Sequence, residues 1–166
     1  FETKWSRRMF ESMMRLEWCP AGRGLQHMGH DRMWVKGGAV LNSCAFVSTF
    51  NDPEAEWVYF LADMSMLGVG VGYDTRGAGA PLYAPKKPEH TWWVEDTREG
   101  WATLLQMLVR SFTRSSAEPL PEVIDFHNVR PKGAVLSTMG GISSGPQPLI
   151  EACRRILKVL SPTVST

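Results

Sequence analysis

Short runs of strand character alternate along this chain with longer stretches whose apolar residues recur every three or four positions, and that alternation narrows the fold more than any single motif. Trp5, Met9, Met13 and Leu16 predict a helix over 3–18, closed by Cys19-Pro20 and Gly22 because proline restricts its predecessor and lacks a donor. A second helix is expected after Asn51 or Asp52 as N-cap, with Pro53 in its first turn and Trp57, Phe60, Leu61 and Met64 on one face; Gly68 ends it. Asp96-Thr-Arg-Glu99 reads as a capping box opening a third, striped by Trp101, Leu104, Leu105, Leu108 and Phe112. Pro148 to Leu160 gives a fourth, carrying Ile150, Cys153, Ile156, Leu157 and Leu160.

Between them lie the strands. Residues 39–48 alternate, with Leu41, Ser43, Ala45 and Val47 on one side and Asn42, Cys44 and Phe46 on the other. Val69–Tyr73, Glu122–Phe126 and Val135–Met139 are further candidates, while 23–38 reads as a connector and 74–95 as a long loop ending at Trp92-Trp93. Strands alternating with helices favour an α/β fold with at least partly parallel pairing.

A length of 166 residues suits about one domain. The net charge of +1 gives no electrostatic case for duplex nucleic acid or an anionic membrane as partner, and no apolar run is long enough to span a bilayer. The chain begins Phe1-Glu-Thr-Lys-Trp5 and stops just after a helical pattern, so both ends look cut. Cys19, Cys44 and Cys153 have no metal-type spacing, and the histidines are scattered, so no metal site is expected. The cysteine count points to a reducing, cytoplasmic compartment.

Cys44 lies on the strand of 39–48, with glycine-rich segments at Gly68-Val-Gly-Val-Gly72 and Gly140-Gly-Ile-Ser-Ser-Gly145. A lone strand cysteine is ordinarily a small buried hydrophobe, and Cys19 and Cys153 are read as structural. Alternate glycines leave one side of a strand bare, either for close packing or for a ligand. Backbone N–H groups at 138–146, ahead of a helix, can cradle phosphate; a plain loop is the alternative.

Taken in order, Cys19-Pro-Ala-Gly-Arg-Gly-Leu25, Leu41-Asn-Ser-Cys-Ala-Phe-Val47, Gly68-Val-Gly-Val-Gly72, Asp96-Thr-Arg-Glu-Gly-Trp101, Asp125 through Arg130-Pro-Lys-Gly133 and Met139-Gly-Gly-Ile-Ser-Ser-Gly-Pro-Gln-Pro-Leu149 resemble the adenosylcobalamin-dependent (class II) ribonucleotide reductases, in particular their ribonucleoside-triphosphate branch. The resemblance implies that residues 1–166 are one partial catalytic domain, the N-terminal part of a ten-stranded α/β barrel. It implies reduction of ribonucleotides, triphosphates in that branch, to deoxyribonucleotides by thiyl-radical chemistry that adenosylcobalamin initiates. Cys44 matches one of two redox thiols. Pro20, Ala21 and Ser43 match substrate contacts, and Gly68, Val69 and Gly70 border the substrate pocket. Asp74 to about Ala84, with Arg76 and Gly77, matches specificity loop 1. Thr138 to Gly145, with Met139, Gly140, Gly141, Ile142 and Ser143, matches specificity loop 2. The implied partners are a ribonucleotide substrate, a deoxynucleoside triphosphate effector and an external thioredoxin-like dithiol.

The thiyl-radical cysteine, the second redox thiol and the C-terminal cysteine pair of that family have no match in these 166 residues, nor does much of the cobalamin-binding surface, so this piece alone is not expected to turn over. The stretch from Cys44 to Asp96 reads as shorter than in monomeric members, whose insertion mimics a dimer interface, which favours a homodimer or an effector site completed elsewhere. A nucleotide-binding regulatory module, or a reductase of another radical class, stays open as an alternative.

Overall fold

The computed structural model describes residues 2–115, 118–136 and 141–164. It divides into two compact units, Phe1–Asn42 and Ser43–Thr166.

In the first unit, α1 (Glu2–Met14) forms where its apolar spacing predicts, but Leu16 adopts a left-handed φ of 60° beyond the helix and takes no part in the stripe. Trp18 Nε1 donates to Ser12 Oγ at 2.8 Å, folding the tail back over the last turn. The expected connector is in fact two six-residue helices, α2 (Gly22–His27) and α3 (Asp31–Lys36), followed by a 3-10 turn at Gly38–Leu41. Gly29 and Gly37 follow them at φ 75° and 72°, a left-handed conformation that stops a helix at little steric cost. Asp31 in the first turn of α3 complements the helix dipole. Both short helices pack on the 3-10 turn, where Val40 is buried. The strand expected over 39–48 therefore shrinks to its second half.

The second unit is built from two strand–helix–strand crossovers. β1 (Cys44–Val47) pairs in parallel with β2 (Gly70–Tyr73), in a register that sets Cys44 against Gly70 and Val47 against Tyr73. The connecting helix α4 (Glu56–Met66) packs against both strands. β3 (Thr91–Trp93) and β4 (Val123–Asp125) repeat the scheme with α5 (Arg98–Thr113) between them. Parallel strands require such a crossover, so the helix–strand alternation is the sequence signal that holds. β3 was legible only as a Trp-Trp pair at the end of a loop.

Two helix starts differ from expectation. α4 begins three residues later than an Asp52 cap would place it. Ala55 stands ahead of it at a left-handed φ of 53°, and Asp52 Oδ2 accepts the Trp57 N–H at 3.0 Å. At α5 the cap is Thr97, whose Oγ1 accepts the Gly100 N–H at 2.9 Å. Asp96 is not the cap. It pairs instead with the Arg130 guanidinium, joining the start of α5 to the segment after β4.

α6 (Gln147–Val164) packs on α5, which also packs on α4. The apolar stripe of α5 turns inward as its spacing demands: Leu104, Leu108 and Phe112 are essentially inaccessible. Val94, Leu104, Met107, Leu108, Val129, Leu149 and Cys153 form the larger core cluster, and Ala55, Val58 and Val109 a second one. No helix among the described residues is long and apolar enough to cross a membrane.

Candidate functional site

β1 carries Cys44 at its first residue. Cys44 and Phe46 are exposed while Ala45 and Val47 are partly covered, so the alternation read from the sequence holds within the strand. The thiol is not a buried hydrophobe. Opposite it, Gly70, its ladder partner, donates its N–H to Ser43 O at 2.9 Å, so a ladder bond is made next to the thiol.

The glycines beside Cys44 have different causes. Gly68 needs its left-handed φ of 77° to leave α4 and enter β2. Gly70 and Gly72 do not. A Cβ on Gly70 would meet only Ser43 O at 3.6 Å, and one on Gly72 the Phe46 ring at 3.6 Å, both ordinary contacts. Packing within this chain gives no reason for glycine at either position. The exposed face made of Cys44, Phe46, Gly70 and Gly72 is thus low at Gly70, directly beside the sulfur, an arrangement suited to close approach by a ligand. Val69, between Gly68 and Gly70 in sequence, is buried.

Beyond the ends of both strands a polar cluster forms that the sequence did not reveal. Asp74 Oδ1 accepts from Thr49 N at 3.0 Å and from Thr49 Oγ1 at 3.0 Å, while Asp74 Oδ2 accepts from Arg76 Nε at 2.7 Å. Arg76 Nη2 donates to Ser48 Oγ at 2.9 Å, and the guanidinium lies 5.8 Å from the centre of the Phe50 ring. The Thr49 backbone N–H, followed by the Arg76 guanidinium and the Ser48 and Thr49 hydroxyls, holds the Asp74 carboxyl far below the usual carboxylate range. Arg76 and Gly77, read as effector contacts, both belong to this cluster.

At the other glycine segment, Met139 and Gly140 lie outside the described residues, as does Thr138. Gly141 has a left-handed φ of 93° and Ile142 is exposed. Ser143 is buried and is the anchor: its N–H donates to Ala134 O at 2.7 Å, its carbonyl accepts from Gly133 N at 2.9 Å, and its hydroxyl accepts from Gly145 N at 3.0 Å. Val135 and Ile142 form an isolated antiparallel bridge. The strand expected over Val135–Met139 is, in its described part, only the Val135 side of this bridge. Pro20 and Ala21 belong to the first unit, on the approach to α2, where Leu25 N–H donates to Ala21 O.

Cys153 differs from Cys44 in kind. It is buried in the main core, and burial pushes its thiol up to about 11. Its thiolate population at neutral pH is therefore about 100-fold below that of an ordinary exposed thiol. Alkylation of the folded full-length protein with iodoacetamide, followed by peptide mass spectrometry, is expected to label Cys44 and Cys19 well before Cys153. Equal labelling would contradict this packing of α6 on α5.

Among the described residues no group of three or more His, Cys, Asp or Glu is placed to hold a metal ion. The hollow beside β1, about 640 Å³ and open to solvent, is lined by residues that include Ser48, Asp52, Glu56, Trp57, Phe60 and Gln106.

A family model described as "B12-dependent ribonucleotide reductase, insertion domain" matches residues 78–160. The chain belongs to the B12-dependent ribonucleotide reductases. It is 39% identical over 158 residues to an adenosylcobalamin-dependent ribonucleoside-triphosphate reductase of Euglena gracilis, covering 92% of this chain and 21% of that protein. It is 32% identical over 183 residues to a probable adenosylcobalamin-dependent ribonucleoside-triphosphate reductase of Dictyostelium discoideum, covering 97% of this chain and 24% of that protein. The chain thus spans between a fifth and a quarter of these relatives. In structure it is similar to a crystal structure of a B-12 dependent (class II) ribonucleotide reductase, with a TM-score of 0.73, 22% identity and coverage of 95% of this chain and 29% of that one. That likeness concerns the fold, a mixed α/β arrangement.

Proposed function

We propose that the full-length reductase containing this chain converts ribonucleotides, taken as triphosphates, to deoxyribonucleotides, with Cys44 as one of its two reducing thiols. The observation that carries this reading is the exposed Cys44 thiol at the head of a parallel strand pair, facing a partner strand whose glycines the chain's own packing does not require. The two strand pairs would be part of a larger α/β barrel completed by the rest of the protein.

In the net reaction the ribose C2′–O bond breaks and a C2′–H bond forms. Cys44 and a second thiol outside this chain give up two electrons and two protons, a disulfide forms between them, and the 2′ oxygen leaves as water. An external thioredoxin-like dithiol then restores both thiols by exchange. Within this chain the roles are positional. The β1–β2 ladder fixes the Cys44 sulfur, and Ser43 and the Gly68–Gly70 backbone would line the ribose side; Pro20 and Ala21, in the first unit, remain candidate substrate contacts from the family match alone. Arg76, Gly77 and the segment Met139–Ser143 would read a deoxynucleoside triphosphate effector. Adenosylcobalamin, held by parts of the protein outside this chain, supplies the radical chemistry. A cytoplasmic setting keeps the thiols reduced between turnovers.

The test is direct. The purified full-length protein is supplied with each ribonucleoside di- and triphosphate and a dithiol, with and without adenosylcobalamin, and deoxyribonucleotide is measured chromatographically. Cofactor-dependent product from triphosphates is expected. Product formed equally well without the cofactor, or nucleotide binding with no product at all, would refute the proposal.

A further inference from the structure

We infer that Thr49 is a positioning residue that couples effector reading to the strand bearing Cys44. The inference rests on the proposal that the segment from Asp74 to Ala84 reads an effector nucleotide.

Thr49 lies two residues past the end of β1 and Asp74 one residue past the end of β2. The Thr49 hydroxyl works in both directions. As a donor it faces Asp74 Oδ1 at 3.0 Å and Asp74 O at 3.2 Å, and as an acceptor it takes the Gly77 N–H at 2.9 Å. Its own N–H adds a further bond to Asp74 Oδ1. One side chain therefore fastens the first turn of the loop to β1, at separations of 25 and 28 residues.

The fit at this root is tight. A Cβ on Gly77 would stand 2.4 Å from Thr49 O and 2.9 Å from Thr49 Oγ1, so glycine is required by contact, in the absence of any left-handed φ. Immediately afterwards the loop is held by local turn bonds, Ala78 N–H to Thr75 O at 2.9 Å and Ala80 N–H to Gly77 O at 3.2 Å, and Ala78, Gly79, Ala80 and Pro81 are exposed. The second anchor comes at Tyr83, whose N–H donates to Phe112 O in the last turn of α5 at 2.7 Å. The loop is thus an exposed span of a few residues tied at one end to the Cys44 strand and at the other to the core helix α5. A ligand that favours one conformation of the span acts on β1 through Thr49, five residues from Cys44 on the same extended stretch.

The hydroxyl, not the bulk, carries this tie, which makes the test specific. In the full-length reductase Thr49→Val keeps the shape and removes three of the four contacts, while Thr49→Ser keeps the hydroxyl. Turnover of each ribonucleotide is measured without effector and with each deoxynucleoside triphosphate. Thr49→Val is expected to shrink the effector-induced change in substrate preference by about tenfold, within the usual range of coupling between sites, while effector-free turnover stays within about twofold. Thr49→Ser is expected to restore the wild-type response.

An unchanged effector response in Thr49→Val, or a parallel fall of effector-free and effector-stimulated turnover, overturns the inference. Should the valine protein fail to fold, Ser48→Ala carries the test, because it removes the hydroxyl that holds Arg76 Nη2 and the Phe50 N–H at the same root. A loss of about threefold in effector response is expected from these lost bonds, and a wild-type response overturns the inference. A wild-type enzyme that forms product yet ignores every effector removes the reading beneath it, which is a separate and recognisable failure.

Discussion

Replacing Cys44 with serine in the full-length reductase is expected to lower dithiol-supported turnover by at least about 1,000-fold, the scale seen when a group essential to chemistry is removed. The physical case is that serine changes one atom. The residue is exposed at the head of β1, so neither a cavity nor an unsatisfied buried group results, and stability should move by no more than about 0.5 kcal/mol. Serine keeps the ladder bonds that β1 makes to β2 and cannot form a disulfide. Loss of activity would therefore report redox chemistry at this sulfur and not a damaged strand. Cys19→Ser is the matching control: it too is exposed, stands at the approach to α2, and is expected to leave turnover within about twofold. Dithiol-supported turnover retained in Cys44→Ser would end the case for the thiol.

What the sequence disclosed, and what it hid, divides by range along the chain. The stripe Trp101, Leu104, Leu105, Leu108, Phe112 was readable because helix periodicity is local, and α5 formed with that face inward. The Cys44–Phe46 face was readable for the same reason at period two. α2 and α3 were not, since six-residue helices among glycines give too little periodic signal and gain their stability from packing on the 3-10 turn. The cap of α5 moved one residue because Asp96 found a stronger partner in Arg130, 34 residues away. The Thr49–Asp74–Gly77 root was invisible for the same reason. Its partners meet only once β1 and β2 have paired, and a threonine in Val-Ser-Thr-Phe announces nothing. At the candidate site, Ser43 and Cys44 meet Gly70 across the ladder, while Gly68 and Val69 bond back to α4 and Arg76 turned out to be held by its own loop's Asp74.

Leu108→Ala is expected to lower the local stability of the second unit by about 2–5 kcal/mol, the range for truncating a fully buried leucine. Leu108 is inaccessible and lies in the cluster that gathers Val94 after β3, Val129 after β4, and Leu149 and Cys153 on α6 around α5. The cavity would open where three separate segments converge, leaving little freedom to collapse into it. Native-state hydrogen exchange in the full-length protein is the suitable measurement, because it reports the opening of each element separately. Amides of α5 and α6 should exchange faster by the full amount, whereas Lys158→Ala, on an exposed position of α6, should shift them by no more than about 0.5 kcal/mol. The Tyr83 amide is the informative one. It is bonded to Phe112 O, so a loosened α5 should release it together with the helix, although Tyr83 lies outside the truncated cluster. Tyr83 protection that persists while α5 opens would mean that the loop's second anchor does not depend on the core. α5 would then not be the element through which the span between Gly77 and Tyr83 is held.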